Sequence, residues 1–281
     1  MTIQDVKIEF QRKLATFYEP KEIQSIFSLI AEDLDFSPTY LILHKDNELS
    51  DTQKNFFEQC LQRLATAEPV QYIRGKADFY DLQFFVNPSV LIPRQETEEL
   101  VNVILQENRN NTPKIIDLGT GSGCIAITLA KHLSNAKVSA VDVSEQALQT
   151  AKSNALKNDV SVDFYLGDMQ DEAFMSQFPK FDIIVSNPPY VCHSEKNEIR
   201  QNVLHYEPHL ALFVEDTNPL QFYRAIAHFA LEHLAEKGTV YCEINETFGD
   251  ETKQLFESFG FLKCEVRKDL FGKDRFVRIQ R

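Results

Sequence analysis

The chain has 281 residues, 43% of them hydrophobic and 25% charged, with a formal net charge of −13. That size and composition suit a globular protein of one large domain or two ordinary ones, with chain enough for a sizeable core. The acidic balance argues against a general nucleic-acid groove, which brings a basic stripe, and no run approaches the roughly 18–20 apolar residues of a membrane span.

The first residues, Met1-Thr2-Ile3-Gln4-Asp5, lack a basic stretch leading into an apolar one, so no signal peptide is expected. Residues 1–76 read as helices only. Val6, Phe10, Leu14 and Phe17 recur at helical spacing. Pro20 suits the first position of a second helix, whose apolar face carries Ile23, Ile26, Phe27, Ile30 and Leu34. Ser37-Pro38 starts a third, short helix. Ser50 and Gln53 have capping-box spacing ahead of Phe56, Phe57, Cys60, Leu61 and Leu64. A small helical bundle follows, with no catalytic constellation, so its expected role is partner binding, as a substrate-docking domain, or that of a lid.

The period changes to two over residues 77–93, where Tyr80, Leu82, Phe84 and Val86 alternate. This stretch reads as a β-hairpin connector. From residue 94 to 281 a larger domain is expected. It opens with a helix bearing Leu100, Val101, Ile104 and Leu105. Strand patterns at 114–118, 137–141, 161–166, 181–185 and 239–244 then alternate with helical ones, such as 147–156 and 220–234. That is the signature of a doubly wound α/β sheet. Residues 261–267 and 275–279 read as a C-terminal antiparallel hairpin. Lys263, Arg267, Lys268, Lys273, Arg275, Arg278 and Arg281 gather there, as charges on an edge strand or as a docking surface for a partner bound to RNA.

The five cysteines, Cys60, Cys124, Cys192, Cys242 and Cys264, form no C-x-x-C pair, so neither a zinc nor a redox motif is indicated and no metal is expected. Scattered through apolar runs, they read as reduced thiols of a cytoplasmic protein.

Chemistry concentrates in two places. Asp117-Leu118-Gly119-Thr120-Gly121-Ser122-Gly123 follows the first strand of the larger domain and opens a helix. Glycines there permit a tight turn and close approach of backbone to ligand. Asp142, closing the next strand, can accept both hydroxyls of a ribose. Together they indicate a nucleoside-bearing cofactor. The G-x-G-x-G spacing differs from the dinucleotide G-x-G-x-x-G and leans towards S-adenosyl-L-methionine, with NAD as the alternative. Asp168 can take an adenine amino group and Met169 can pack on the ring, although Gly167-Asp168-Met169 also reads as a plain turn.

The second place is Asn187-Pro188-Pro189-Tyr190, after an apolar strand. Each proline lacks an N–H and pushes the residue before it out of the helical region. The product is a stiff clamp of amide side chain, backbone carbonyls and aromatic ring, suited to a planar amino group. Asn187 and the Pro188 carbonyl are the candidate catalytic groups, each accepting one hydrogen. Tyr190 is a candidate stacking face. His193, His205 and His209 lie nearby in sequence but read as structural or surface residues.

With the Gly-rich turn, this clamp resembles the class I S-adenosylmethionine-dependent methyltransferases that modify planar nitrogens, both amino-adenine and glutamine enzymes. Further stretches narrow the resemblance. They are Glu68-Pro69-Val70-Gln71-Tyr72-Ile73-Arg74-Gly75, Phe79-Tyr80, Leu91-Ile92-Pro93-Arg94-Gln95-Glu96-Thr97-Glu98 and Tyr206-Glu207-Pro208-His209-Leu210-Ala211-Leu212. They are similar to the peptide chain release factor N5-glutamine methyltransferases, over the whole chain; Gln95 departs from the proline more usual in that family.

The resemblance implies a Rossmann-like methyltransferase sheet with an N-terminal helical bundle. It also implies methyl transfer to the glutamine of the Gly-Gly-Gln motif of class-1 release factors. Gly119, Thr120, Gly121, Ser122, Gly123, Asp142, Asp168, Met169 and Asn187 are then expected to hold the cofactor. Asn187, Pro188, Pro189 and Tyr190 would hold the glutamine, with Arg94 and Phe79 shaping the pocket. Arg94 could instead simply pair with Glu96 or Glu98. The expected partner is the release factor alone, with neither nucleic acid nor membrane, and a monomer suffices. An amino-adenine methyltransferase of DNA or RNA and a non-catalytic release-factor-binding module stay open at this stage.

Overall fold

The computed structural model describes residues 1–109 and 111–281. It divides into two compact units: residues 1–75 with 200–206, and residues 76–199 with 207–281.

The smaller unit is helical. Thr2 and Asp5 form a capping box ahead of Ile3–Leu14, and the expected Ser50–Gln53 box opens Asp51–Leu64. Pro20 starts Pro20–Glu32. Phe10, Phe27 and Phe57 meet at the centre with ring centroids 5.3–6.1 Å apart, edge-on or stacked. Phe17 departs from expectation: the first helix ends at Leu14, and the ring is 46% exposed. The stretch from Glu68 to Gly75 is structural here. Arg63 grips Glu68 with two hydrogen bonds of 2.6 and 2.8 Å, and Arg74 grips Asp33 at 2.9 and 3.0 Å. Gly75, at φ +68°, closes the helix Val70–Arg74. Gln201–Tyr206, far along the chain and without a local signal, completes this unit, where the Tyr206 hydroxyl meets Thr66.

The larger unit begins with a hairpin of β1 (Lys76–Phe79) and β2 (Leu82–Phe85). It then builds strands β3 (Lys114–Leu118), β4 (Lys137–Asp142), β5 (Asp163–Leu166) and β6 (Phe181–Ser186). A short pair, β7 (Val191–Cys192) and β8 (Phe213–Val214), precedes β9 (Leu234–Glu243), β10 (Lys263–Lys268) and β11 (Asp274–Gln280). The main sheet runs β10-β11-β9-β6-β3-β4-β5. β9 to β5 pair in parallel, and β11 is antiparallel to both its neighbours. This is the doubly wound methyltransferase-type sheet with its C-terminal hairpin. β3 sits where the order reverses, the position at which open α/β sheets bind ligands.

The strands are apolar because both faces are covered. Ile115, Ile183 and Tyr241 pack on one face; their neighbours Ile116, Ile184, Val240 and Cys242 pack on the other. Phe79 belongs to the first of these cores, edge-on to Phe84, and is 1% exposed. It therefore does not shape the pocket, because its ring is spent fastening the hairpin.

That hairpin is part of the larger unit. Buried Asn154 accepts from the Phe85 N–H at 2.6 Å and donates to the carbonyls of Phe85 and Ser122 at 3.0 and 2.9 Å. One amide thus ties the hairpin to the Gly-rich turn. Asn154→Ala removes the partner of those backbone groups and leaves the buried Ser122 carbonyl unsatisfied, a loss of about 1–3 kcal/mol. The expected outcome is a lower denaturant midpoint for the transition of the larger unit; an unchanged midpoint contradicts this role.

Candidate active site

The Gly-rich turn after β3 and the Asn187 segment after β6 lie side by side because β3 and β6 pair directly, Leu118 opposite Ser186. The Ser186 hydroxyl donates to the Leu118 carbonyl at 2.6 Å and locks the two strand ends together. Between them and the segment from Ser89 to Arg94 opens a cavity of about 420 Å³, within the roughly 300–1,000 Å³ of small-molecule sites.

Of the expected cofactor residues, Gly119, Thr120, Gly121, Ser122, Asp142, Asp168, Met169 and Asn187 all line this cavity. Gly121 has φ +55° and open space where a Cβ would stand. Its N–H donates to the Asp142 carboxylate at 2.7 Å, and Ser144 N–H donates to the other oxygen at 2.9 Å. Burial raises the Asp142 carboxyl, and these backbone donors work in the opposite direction. Gly123 stands behind the wall instead: a Cβ there would come within 2.8 Å of Ile127 and 3.1 Å of Ala151. Its bareness serves helix packing. Asp168 makes the plain turn as well, accepting from Gln170 N–H at 2.8 Å.

The donor set suits S-adenosylmethionine. An acidic side chain is fixed at the end of β4, open backbone stands at the turn, and Leu91, Ile92, Ile125, Val141 and Met169 provide apolar walls for a purine and an aliphatic chain.

Of the clamp, Asn187 and Pro189 line the cavity, and Pro188 between them is buried. Asn187 donates through Nδ2 to Thr97 Oγ at 3.1 Å. Thr97 in turn donates to Glu243 at 2.7 Å, and Tyr190 donates to the other oxygen of Glu243 at 2.9 Å. Tyr190 thus turns its hydroxyl inward, away from the stacking role expected of it, and burial together with the Glu243 charge raises its pKa well above the ordinary value. Asn245 holds the Tyr190 carbonyl at 3.2 Å from behind.

Arg94 lines the cavity too, but its partner is neither Glu96 nor Glu98. It meets the buried Glu207 carboxylate at 2.6 Å, whose second oxygen takes the Ile92 N–H at 3.0 Å. Glu207 thereby pins the segment that forms one wall. His193 stacks on Phe213 and His209 meets the same ring edge-on, while His205 lies in the helical unit, so none of them is a wall residue. Sequence reasoning missed Glu243, Asn154 and Phe222, and named Thr97 and Glu207 only as members of longer stretches. The available signal for Glu243 was an acidic residue at the carboxyl end of an apolar strand.

Five of the seven basic C-terminal residues meet carboxylates, and Arg281 donates to the carbonyls of Ala230 and Leu231. Arg267 and Arg278 both meet Glu107 at 2.9 Å, Arg275 meets Asp269 at 3.2 Å, and Lys268 and Lys273 meet Asp274 and Glu246 at 2.9 and 2.8 Å. Among the described residues no group of acidic, histidine or cysteine side chains is arranged to hold a metal, and no helix is long and apolar enough to cross a membrane.

Asp117, at the head of the turn, is fully buried and accepts from the Thr120 hydroxyl at 2.6 Å. Burial pushes its carboxyl from an ordinary 3.8 up to about 7. The folded protein therefore binds a proton that the unfolded chain has lost between those values, and stability falls as pH rises from about 4 to 7. Asp117→Asn removes that dependence. Thermal melts across this range should show the variant gaining on the wild type up to about pH 7 and holding a constant offset above it; a constant offset throughout contradicts the assignment.

Comparison with known proteins places the chain. Its residues 8–75 match the PrmC N-terminal domain, and residues 95–210 match the methyltransferase small domain. It is 45% identical to a release factor glutamine methyltransferase of Flavobacterium psychrophilum, covering 99% of both chains. To the protein of the same name from Bacteroides thetaiotaomicron it is 44% identical, over 96% of this chain and 97% of that one. Among solved structures, a methyltransferase from Pyrococcus furiosus shares the fold at TM-score 0.52 and 20% identity, over 71% of this chain and 88% of that one. A 16S rRNA methyltransferase of T. thermophilus, solved with AdoMet and guanosine, does so at 0.52 and 16%, over 73% and 49%. With full-length relatives at this identity, the chain belongs to the release factor glutamine methyltransferase family.

Proposed function

We propose that this protein methylates the side-chain amide nitrogen, N5, of the glutamine in the Gly-Gly-Gln motif of class-1 peptide chain release factors. The observation that carries the reading is Asn187, held on the cavity wall with its Nδ2 engaged and its Oδ1 without a protein partner among the described residues. S-adenosylmethionine, held by the residues from Gly119 to Ser122 with Asp142, Asp168 and Met169, supplies an electrophilic methyl group.

The chain's own residues supply a grip on the amide. An amide nitrogen is a poor nucleophile because its lone pair is shared with the carbonyl. Asn187 Oδ1 and the Pro188 carbonyl can each accept one of its two hydrogens. Those bonds orient the nitrogen and stabilise the positive charge that develops on it. Among the described residues no His lines the cavity to take the departing proton, and water is the acceptor. Pro189 and Arg94 bound the same space. Tyr190 contributes by holding Glu243.

The pairing of Arg267, Lys268, Lys273, Arg275 and Arg278 with carboxylates of the same chain supports a protein substrate over a nucleic acid. The unpaired cysteines fit a cytoplasmic protein. A monomer is sufficient for every role assigned, and docking of the release factor is the role we give the helical unit.

The test is mass spectrometry of a release factor incubated with the protein and S-adenosylmethionine. One added methyl on the glutamine of the Gly-Gly-Gln peptide is expected. Methylation of adenine in DNA or RNA instead, with the glutamine unchanged, overturns the reading. Asn187→Ala should lower the rate about 10²-fold while the fold persists.

A further inference from the structure

Glu243 takes no part in holding cofactor or glutamine, yet it is a carboxylate 1% exposed at the end of β9, fastened from three sides. Tyr223 donates to its backbone carbonyl at 3.0 Å, and Thr97 and Tyr190 donate to its two side-chain oxygens. Its place follows from the sheet: β9 pairs with β6, Cys242 opposite Ser186, so the residue after Cys242 stands beside the one after Ser186, which is Asn187.

Burial raises the Glu243 carboxyl, while the Thr97 and Tyr190 hydroxyls and the Arg275 charge favour its ionised form. With Glu243 ionised, these four side chains have one consistent arrangement. An ionised carboxylate only accepts hydrogen bonds. Thr97 has a single hydroxyl proton and spends it on Glu243. Its oxygen can then only accept from Asn187, and only the Nδ2 end of that amide donates. The oxygen end is left for the cavity. Turning the amide over would set Oδ1 against the Thr97 oxygen with no proton between them, or draw the proton away from the buried Glu243.

We infer that Glu243 and Thr97 are positioning residues for methyl transfer: through one hydroxyl proton they dictate which end of the Asn187 amide meets the substrate. The inference deepens the reading of Asn187 given above and rests on it for its catalytic consequence. The orientation itself is independent of any substrate.

Two readouts separate these parts. The first needs no substrate. In Thr97→Val, which keeps the shape and removes the hydroxyl, the Asn187 side-chain NH2 should lose the hydrogen-exchange protection that NMR records for it in the wild type. Thr97→Ser should restore that protection. The second is turnover with release factor and S-adenosylmethionine. Thr97→Val should lower kcat about 10²-fold with KM for the cofactor near wild type, together with a lowered melting temperature because Glu243 loses a donor. Thr97→Ser should recover most of both losses. Equal protection in wild type and Thr97→Val overturns the positioning, as does equal loss of kcat in the Val and Ser variants. Should Thr97→Val not fold, Thr97→Ala, which only deletes atoms, is measured in its place. If the wild type transfers nothing to release factor, the substrate reading fails while the exchange measurement still decides the orientation.

Discussion

Two hydroxyls donating to one buried carboxylate set the geometry on which this site depends. Glu243 is filled by Thr97 and Tyr190, and those two bonds reach the reacting region in different ways. Through Thr97 the carboxylate governs a side chain, the amide of Asn187. Through Tyr190, helped by Asn245 on the same strand end, it governs the backbone that follows. The two prolines make that control effective, since they leave Asn187 and Pro188 little conformational freedom to lose. A buried carboxylate is costly unless its bonds are complete, so the arrangement has little tolerance for a flipped amide.

The sheet makes the arrangement possible. Three strand ends stand in a row, β9 with Glu243, β6 with Asn187 and β3 with the Gly-rich turn. The turn approaches the cavity because Gly123 lets its helix close against Ala151, and Asn154 ties it to the hairpin ahead of the sheet. On the opposite wall Glu207 holds Ile92 and Arg94. Cofactor pocket and clamp are therefore held by buried polar groups on strand or helix ends, with loops fastened to them.

Much of this was legible in the sequence because it is local. Capping signals, the hydrophobic alternation of the strands and the Gly-rich turn are each written within a few neighbouring residues. They led to the helical unit, the parallel sheet and most of the cofactor wall. What escaped depends on long-range pairing. Tyr190 reads as a stacking ring until Glu243, far along the chain, is seen to take its hydroxyl. Arg94 has two acidic neighbours in sequence, yet it pairs with Glu207, because a buried carboxylate is the stronger partner for a nearby guanidinium. Phe79 marks a family resemblance and turns out to be core. The clamp's own physics suits an adenine as well as a glutamine. Full-length likeness to release factor glutamine methyltransferases is what favours the glutamine.

The central claim is that Asn187 presents its oxygen, not its NH2, to a glutamine amide. A crystal structure with the demethylated cofactor and a Gly-Gly-Gln peptide tests it most directly. The account predicts the glutamine nitrogen about 2.7–3.2 Å from both Asn187 Oδ1 and the Pro188 carbonyl, with Asn187 Nδ2 still on Thr97. A glutamine seated away from Asn187, or an Asn187 amide turned over with its NH2 towards the peptide, would contradict it.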